Sequence, residues 1–203
     1  MLQLVVATRN KKKLAEIKSI LKGLDLDLVS LEVYPDAPRV IENGKTFQEN
    51  AIKKAVKLAR FTGKLCLGED SGLAVQALNG APGIYSARFS GRDKSDLKNN
   101  QKLLKLLVGL PLTKRKAFYY CAVALADKAG LIGVVEGSCV GRIAYAPQGS
   151  AGFGYDPLFY IPKYKKTFAQ LGEKIKHKMS HRYFGLTKAK RIIQKYIVKQ
   201  SAN

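Results

Sequence analysis

Cysteine is scarce and unpaired in this chain. The 203 residues hold only three, Cys66, Cys121 and Cys139. Three is an odd number and no two lie close together, so they match neither a disulfide framework nor a zinc site. Cys66 and Cys121 sit in apolar runs and read as small core residues. No His/Cys set has zinc spacing, and no serine stands in a nucleophile elbow. No apolar run approaches the span of a membrane helix. Met1–Ala7 lacks the basic flank and the length of a signal peptide. These absences lead to an expectation of a reducing, cytoplasmic setting with no membrane partner. No internal repeat, low-complexity segment or linker interrupts the chain, so residues 1–203 are expected to form one domain, with room for two lobes on a shared sheet.

Acidic residues are also few. Lys and Arg outnumber Asp and Glu by 36 to 15, a formal charge of +21. A balance this basic points to a polyanionic partner: nucleic acid, an acidic membrane surface or a phosphorylated small molecule. The lysines are spread out and form no long basic tail. Hydrophobic residues make up 46%, enough for a real core and too many for global disorder.

Leu2–Ala7 is a valine-rich apolar run and predicts a buried strand. From Lys12 the apolar residues Leu14, Ile17, Ile20, Leu21 and Leu24 recur at helical spacing. Leu28–Val33 predicts a second strand. Thr46-Phe47-Gln48-Glu49 is a capping box that opens a helix, and Gly63 closes it. Cys66-Leu67 and Leu73–Leu78 read as two strands with a glycine-bracketed break between them. Leu97–Val108 predicts a helix. Ala117–Ala126 and Leu131–Val140 predict neighbouring antiparallel strands joined by a short connection. Leu158–Ile161 is a short strand, and a last helix is expected from His181 to Val198. The pattern predicts an α/β or mixed α+β domain with helices packed on a mixed sheet.

Four constellations carry chemistry. Gly68-Glu69-Asp70-Ser71-Gly72 places two carboxylates and a hydroxyl between apolar runs. It is either an acidic turn or a site for a hard cation such as Mg²⁺, which favours one or two carboxylates plus substrate phosphates. Thr8-Arg9-Asn10-Lys11-Lys12-Lys13 joins strand to helix. Free N–H groups and a dipole at a helix start suit phosphate, although the glycines of a P-loop are missing. Glu42 precedes the capped helix and is either a surface acid or a third carboxylate for that cation. Gly152-Phe153-Gly154-Tyr155-Asp156-Pro157 offers two flat rings and a carboxylate, fit for a base or for a core corner. Lys176 with Ser180-His181-Arg182 opens the last helix.

These strings, in this order, resemble the inosine/xanthosine triphosphate pyrophosphatase family of house-cleaning nucleotidases. The matching residues are Ala7–Asn10 with Lys13, Glu42 to Ala51, Glu69–Leu73, Gly80–Arg88, Gly152–Pro157 and Ser180–Arg182. The resemblance implies an elongated α/β fold, two lobes around a long mixed sheet with a central cleft, and a homodimer. It implies hydrolysis of ITP, dITP or XTP to the monophosphate and pyrophosphate, with Mg²⁺. By similarity Thr8, Arg9, Asn10 and Lys13 hold phosphates, and Glu42 and Asp70 hold the metal. Asp70 or Glu69 takes the proton of the attacking water. Ser71 touches the substrate, Phe153 stacks on the base, and Gly154, Tyr155, Asp156, Lys176, His181 and Arg182 complete the base site. Arg9 and Tyr183 stand where the family commonly has glycine. Two other readings are a basic nucleic-acid-binding protein and a pyrophosphatase for modified pyrimidine nucleotides; nucleic acid is the less favoured partner.

Overall fold

The first strand, β1 (Leu2–Val6), is buried on both faces: Leu4, Val5 and Val6 are all 0% exposed. Helices cover both sides of such a strand, which explains its unbroken apolar run. The computed structural model describes residues 1–201. After β1 come α1 (Lys11–Leu21), β2 (Leu26–Ser30), α2 (Phe47–Thr62), β3 (Leu65–Val75) and α3 (Asp96–Leu106). Then follow β4 (Lys116–Asp127), β5 (Gly130–Ile143), β6 (Phe159–Ile161), β7 (Lys166–Thr167), α4 (Phe168–Lys176) and α5 (His181–Ser201). The seven strands are ordered β2-β1-β3-β4-β5-β6-β7. β1 runs parallel to β2 and β3, whereas β6 runs antiparallel to β5 and β7. The sheet is therefore mixed and the fold α/β, as the sequence pattern predicts.

The chain divides into two compact units. Unit one comprises Met1–Asp70, Cys121–Gly137 and the segment from Arg182 onward. One face of its sheet packs Leu4, Val6, Leu65 and Leu67 against Ile17 and Leu21 of α1 and Leu186, Ala189 and Ile193 of α5. The other packs Val5, Ala7 and Cys66 against Ala51, Ala55 and Leu58 of α2. Alternate residues of one strand thus feed two cores. Unit two comprises Ser71–Tyr120 and Ser138–His181. Its core gathers Leu73, Leu103, Ile143, Tyr119, Phe159 and Phe168, with the last three rings in mutual contact.

Several boundaries differ from the sequence reading. The break expected at Gly68–Gly72 is absent, and β3 runs unbroken from Leu65 to Val75. The acids there have partners, described below, so the strand tolerates them. Gly68 has another purpose. A Cβ at Gly68 would lie 2.1 Å from the Ala51 carbonyl oxygen and 2.6 Å from the Ala55 nitrogen. Only glycine lets α2 approach β3 this closely. β2 stops at Ser30, whose hydroxyl caps a 3₁₀ turn over Leu31–Val33. β7 and α4 are not among the elements expected from the sequence. α4 is short, starts in a capping box between Thr167 and Gln170, and is kinked at Gly172 with φ +73°.

Candidate active site

Unit one builds a charged centre from the ends of β1, α1, α2 and β3. The loop after β1 is tied locally: the Asn10 N–H donates to Thr8 Oγ1 at 3.1 Å, and Asn10 Oδ1 accepts from the Lys13 N–H at 3.1 Å. Asn10 is thus the N-cap of α1, a helix whose first turn holds no acid. The exposed Arg9 side chain donates to the Ala37 carbonyl at 3.2 Å. An open cavity of about 230 Å³ beside the loop is lined by Thr8, Arg9, Asn10, Lys11, Ser30 and Glu32. Lys13 turns inward, and its ammonium donates to Glu69 Oε2 at 2.8 Å.

Glu69 is 3% exposed and saturated with donors. Besides Lys13, it accepts from Arg182 Nη2 at 3.0 Å and from the Cys121 thiol at 3.3 Å. Burial alone would push its carboxyl up, but Arg182 and Lys13 outweigh that and hold it well below the usual carboxylate range. Arg182 is itself 1% exposed and also donates to Glu16 of α1. Burial disfavours its charge, yet the carboxylates of Glu69 and Glu16 raise its pKa further.

Asp70 has a different environment. Its carboxylate accepts from Lys54 Nζ at 2.9 Å and from Asn50 Nδ2 at 3.2 Å. Burial raises the Asp70 carboxyl, while Lys54 and Lys13 pull it back. Glu42 lies 3.2 Å from the same Lys54 ammonium. Burial would lower the Lys54 pKa, but Asp70 and Glu42 raise it. Two carboxylates distant in sequence therefore converge on one point. Among the described residues, no group of three or more His, Cys, Asp or Glu forms a metal cluster. A pair of hard oxygen donors nevertheless fits Mg²⁺, which takes one or two carboxylates and completes its shell with phosphate and water.

Unit two builds a second, ring-bearing centre. Asp156, 2% exposed, accepts from Lys176 Nζ at 2.6 Å and from the Phe153 N–H at 2.9 Å. The Lys176 ammonium also sits 4.6 Å from the centre of the half-buried Phe153 ring. Gly152 has φ +82°, and a Cβ there would strike Asp156 Oδ2 at 2.1 Å, so the loop requires glycine at this position. The Gly154 N–H donates to Asp96 at 2.7 Å, and its carbonyl accepts from Asn100 Nδ2 at 3.0 Å. The first turns of α3 thus hold the peptide groups on both sides of Gly154. His181, 4% exposed, stacks on Tyr119 with ring centres 4.6 Å apart.

The sequence-derived residues therefore fall into two sets. Thr8, Arg9, Asn10, Lys13, Glu42, Glu69, Asp70 and Arg182 belong to unit one. Ser71, Phe153, Gly154, Tyr155, Asp156, Lys176 and His181 belong to unit two. One expectation changes. Tyr155 does not offer a flat face: it is 4% exposed in the core, and its hydroxyl donates to the Ser86 carbonyl at 2.8 Å. Glu69 is held in its ionised form by Lys13, Arg182 and the Cys121 thiol. Arg182 donates to that carboxylate and to Glu16. Sequence reasoning also missed Lys54, Asn50 and Glu16. Lys54 left a trace, since it falls on the apolar stripe Ala51-Ala55-Leu58 of α2, where a cation demands an anionic partner.

The chain covers 98% of itself and 99% of a relative from Desulforamulus reducens named dITP/XTP pyrophosphatase, at 49% identity over 199 residues. A relative of the same name from Geobacter sulfurreducens is 50% identical over 182 residues, 90% of this chain and 92% of that one. The solved structure of a HAM1 protein from Coxiella burnetii superposes with a TM-score of 0.87 at 36% identity, covering 96% of this chain and all of the other. The Ham1 family model matches residues 4–192, and with agreement of this extent the chain belongs to the Ham1 family.

Proposed function

We propose that this protein hydrolyses deaminated purine nucleoside triphosphates (dITP, ITP and XTP) to the monophosphate and pyrophosphate, with Mg²⁺ as cofactor. The observation that carries the reading is the meeting of Glu42 and Asp70 at Lys54. Relatives that the chain matches over nearly its whole length bear the name dITP/XTP pyrophosphatase. In this reading Glu42 and Asp70 hold the cation. When bound, Mg²⁺ neutralises triphosphate charge and lowers the pKa of a coordinated water. Unit one handles phosphate: Thr8, Asn10 and the positive dipole end at the start of α1 receive it, and Lys13 adds charge where pyrophosphate leaves.

Water attacks the α-phosphorus, the bond to the bridging oxygen of the β-phosphate breaks, and Asp70 takes the water proton. Asp70 is assigned this role over Glu69 because its carboxylate accepts from one cation, Lys54, and the neutral Asn50 amide, whereas Glu69 is held by both Lys13 and Arg182. Glu69 acts by fixing Lys13, and Arg182 by fixing Glu69.

Unit two handles the base. Phe153 supplies the stacking face, worth about 1–3 kcal/mol. Lys176 donates to the 6-oxo group, which adenine replaces with an amino donor. A site built to hydrogen-bond that oxygen rejects an analogue lacking it by up to about 10⁴–10⁵-fold. Ser71 follows Asp70 directly in β3 and contacts the substrate next to the reacting phosphate. The family resemblance extends this reading to a cytoplasmic homodimer, and no helix among the described residues is long and apolar enough to cross a membrane.

A pyrophosphate-release assay across dITP, XTP, ITP, dUTP and the standard triphosphates tests the reading. Selective turnover of the first three with Mg²⁺, and none with Asp70→Asn, is the expected result. Preference for dUTP would move the assignment to modified pyrimidines.

A further inference from the structure

Helices α1 and α5 carry a row of exposed cations on one layer of unit one. Helices α1 and α5 turn Ile17, Leu21, Leu186, Ala189 and Ile193 into the same apolar cluster. Outward they present Lys18 and Lys22 from the end of α1 and Lys188, Arg191, Lys195 and Lys199 from α5, all exposed. No Asp or Glu occurs anywhere in α5. The single acid of α1, Glu16, is buried against Arg182. On the adjoining strands, Asp127 accepts from the Tyr196 hydroxyl, and Lys188 donates to the backbone carbonyl of Glu136.

The four α5 cations follow at steps of three and four residues, so they form one stripe on one face. At the rise of an α-helix that stripe is about 16 Å long, with neighbours about 4.5–6 Å apart along the axis. Like charges at this spacing destabilise a helix, so the stripe exists against a local cost.

We propose that this face binds the phosphate backbone of duplex DNA without reading its sequence, a property separate from nucleotide hydrolysis. One DNA strand carries a phosphate roughly every 3.4 Å along the axis, so the stripe faces about five of them. A membrane-bound helix must bury an apolar face in lipid, but Leu186, Ala189 and Ile193 are 0% exposed in the protein core. Single strands need aromatic platforms. Between Lys188 and Lys199 the only aromatic is Tyr196, half-buried and bonded to Asp127.

Fluorescence anisotropy of the full chain with a mixed-sequence duplex of about 20 base pairs, between roughly 50 and 200 mM salt, tests the proposal. The double variant Arg191→Glu/Lys195→Glu is compared with Lys163→Glu/Lys166→Glu, which makes the same change of net charge at exposed positions of unit two. The expected result is about tenfold weaker binding and a log–log salt slope shallower by about 2 for the α5 variant only. Both variants keep wild-type melting temperature and dITP turnover. Equal loss in the two variants overturns the proposal, because binding would then follow total charge. Absence of duplex binding at the lowest salt overturns it too. So does binding of phosphatidylglycerol vesicles, lost on α5 reversal, without binding of DNA.

Discussion

Lys54 of α2 and Asp70 of β3 meet at 2.9 Å because Gly68 lets the two backbones touch. The pair is nearly dry, with both side chains 9% exposed. Removing one partner of such a pair strands the other charge, at a cost of about 3–5 kcal/mol. Lys54→Met keeps the volume and removes the charge. Its unfolding free energy in urea should fall by about 3 kcal/mol, and the loss of the half-exposed Glu42 contact adds little to this. A loss below about 1 kcal/mol would show that Lys54 behaves as a surface cation.

Gly68→Ala tests the helix–strand contact. The added methyl meets backbone atoms, the Ala51 carbonyl at 2.1 Å and the Ala55 nitrogen at 2.6 Å, and backbone cannot rotate out of the way. Overpacking of this kind costs about 1–3 kcal/mol or more. Because α2 carries Lys54 and Asn50 against Asp70, turnover should fall along with stability. Chemical denaturation and the pyrophosphate assay, run on the same variant, check both. Wild-type stability would mean that the two elements separate freely.

The base-binding loop offers a graded test. Phe153→Ala removes a stacking face worth about 1–3 kcal/mol, so KM for dITP should rise about tenfold or more while kcat changes little, the pattern of lost uniform binding. Asp96→Ala touches no ring. It frees the Gly154 N–H, which Asp96 holds at 2.7 Å, and removes an acid from the first turn of α3, worth about 0.3–1 kcal/mol. KM should rise by a smaller factor, with Asp96→Asn restoring part of it through its remaining acceptor oxygen. A fall in kcat with unchanged KM in either variant would separate this loop from substrate binding.

The fold was largely legible because its signals are local. Valine-rich β1, the capping box at Thr46 and the αL Gly63 that ends α2 all follow from short-range chemistry. The site was legible as strings and not as contacts. Glu69 and Asp70 are adjacent and look alike in sequence, yet they alternate to opposite sides of β3 and meet different cations. One faces Arg182 and Lys13, the other Lys54, and only tertiary packing decides this. Tyr155 reads as a ring in a loop, but a carbonyl waiting at Ser86 draws it into the core. α4 is easily passed over because it spans only nine residues and is kinked at Gly172, although Thr167 and Gln170 form a capping box.

The three cysteines link burial to pH. Burial raises Cys66 to about 11 and Cys139 to about 12. Cys121 stands well above its ordinary value through burial and the nearby Glu69 carboxylate. The thiolate is the reactive form, so the native protein should resist alkylation at pH 8, whereas all three thiols react on unfolding. The linkage has a definite sign. Above about pH 8.5 the unfolded chain loses thiol protons that the folded chain keeps. Fewer protons are then bound in the unfolded state, so stability must fall as pH rises toward 11. Melting temperatures recorded from pH 7 to about pH 10, for the wild type and for Cys66→Ala, check this. The variant should lose less stability over that range; parallel curves would assign the alkaline loss to other groups.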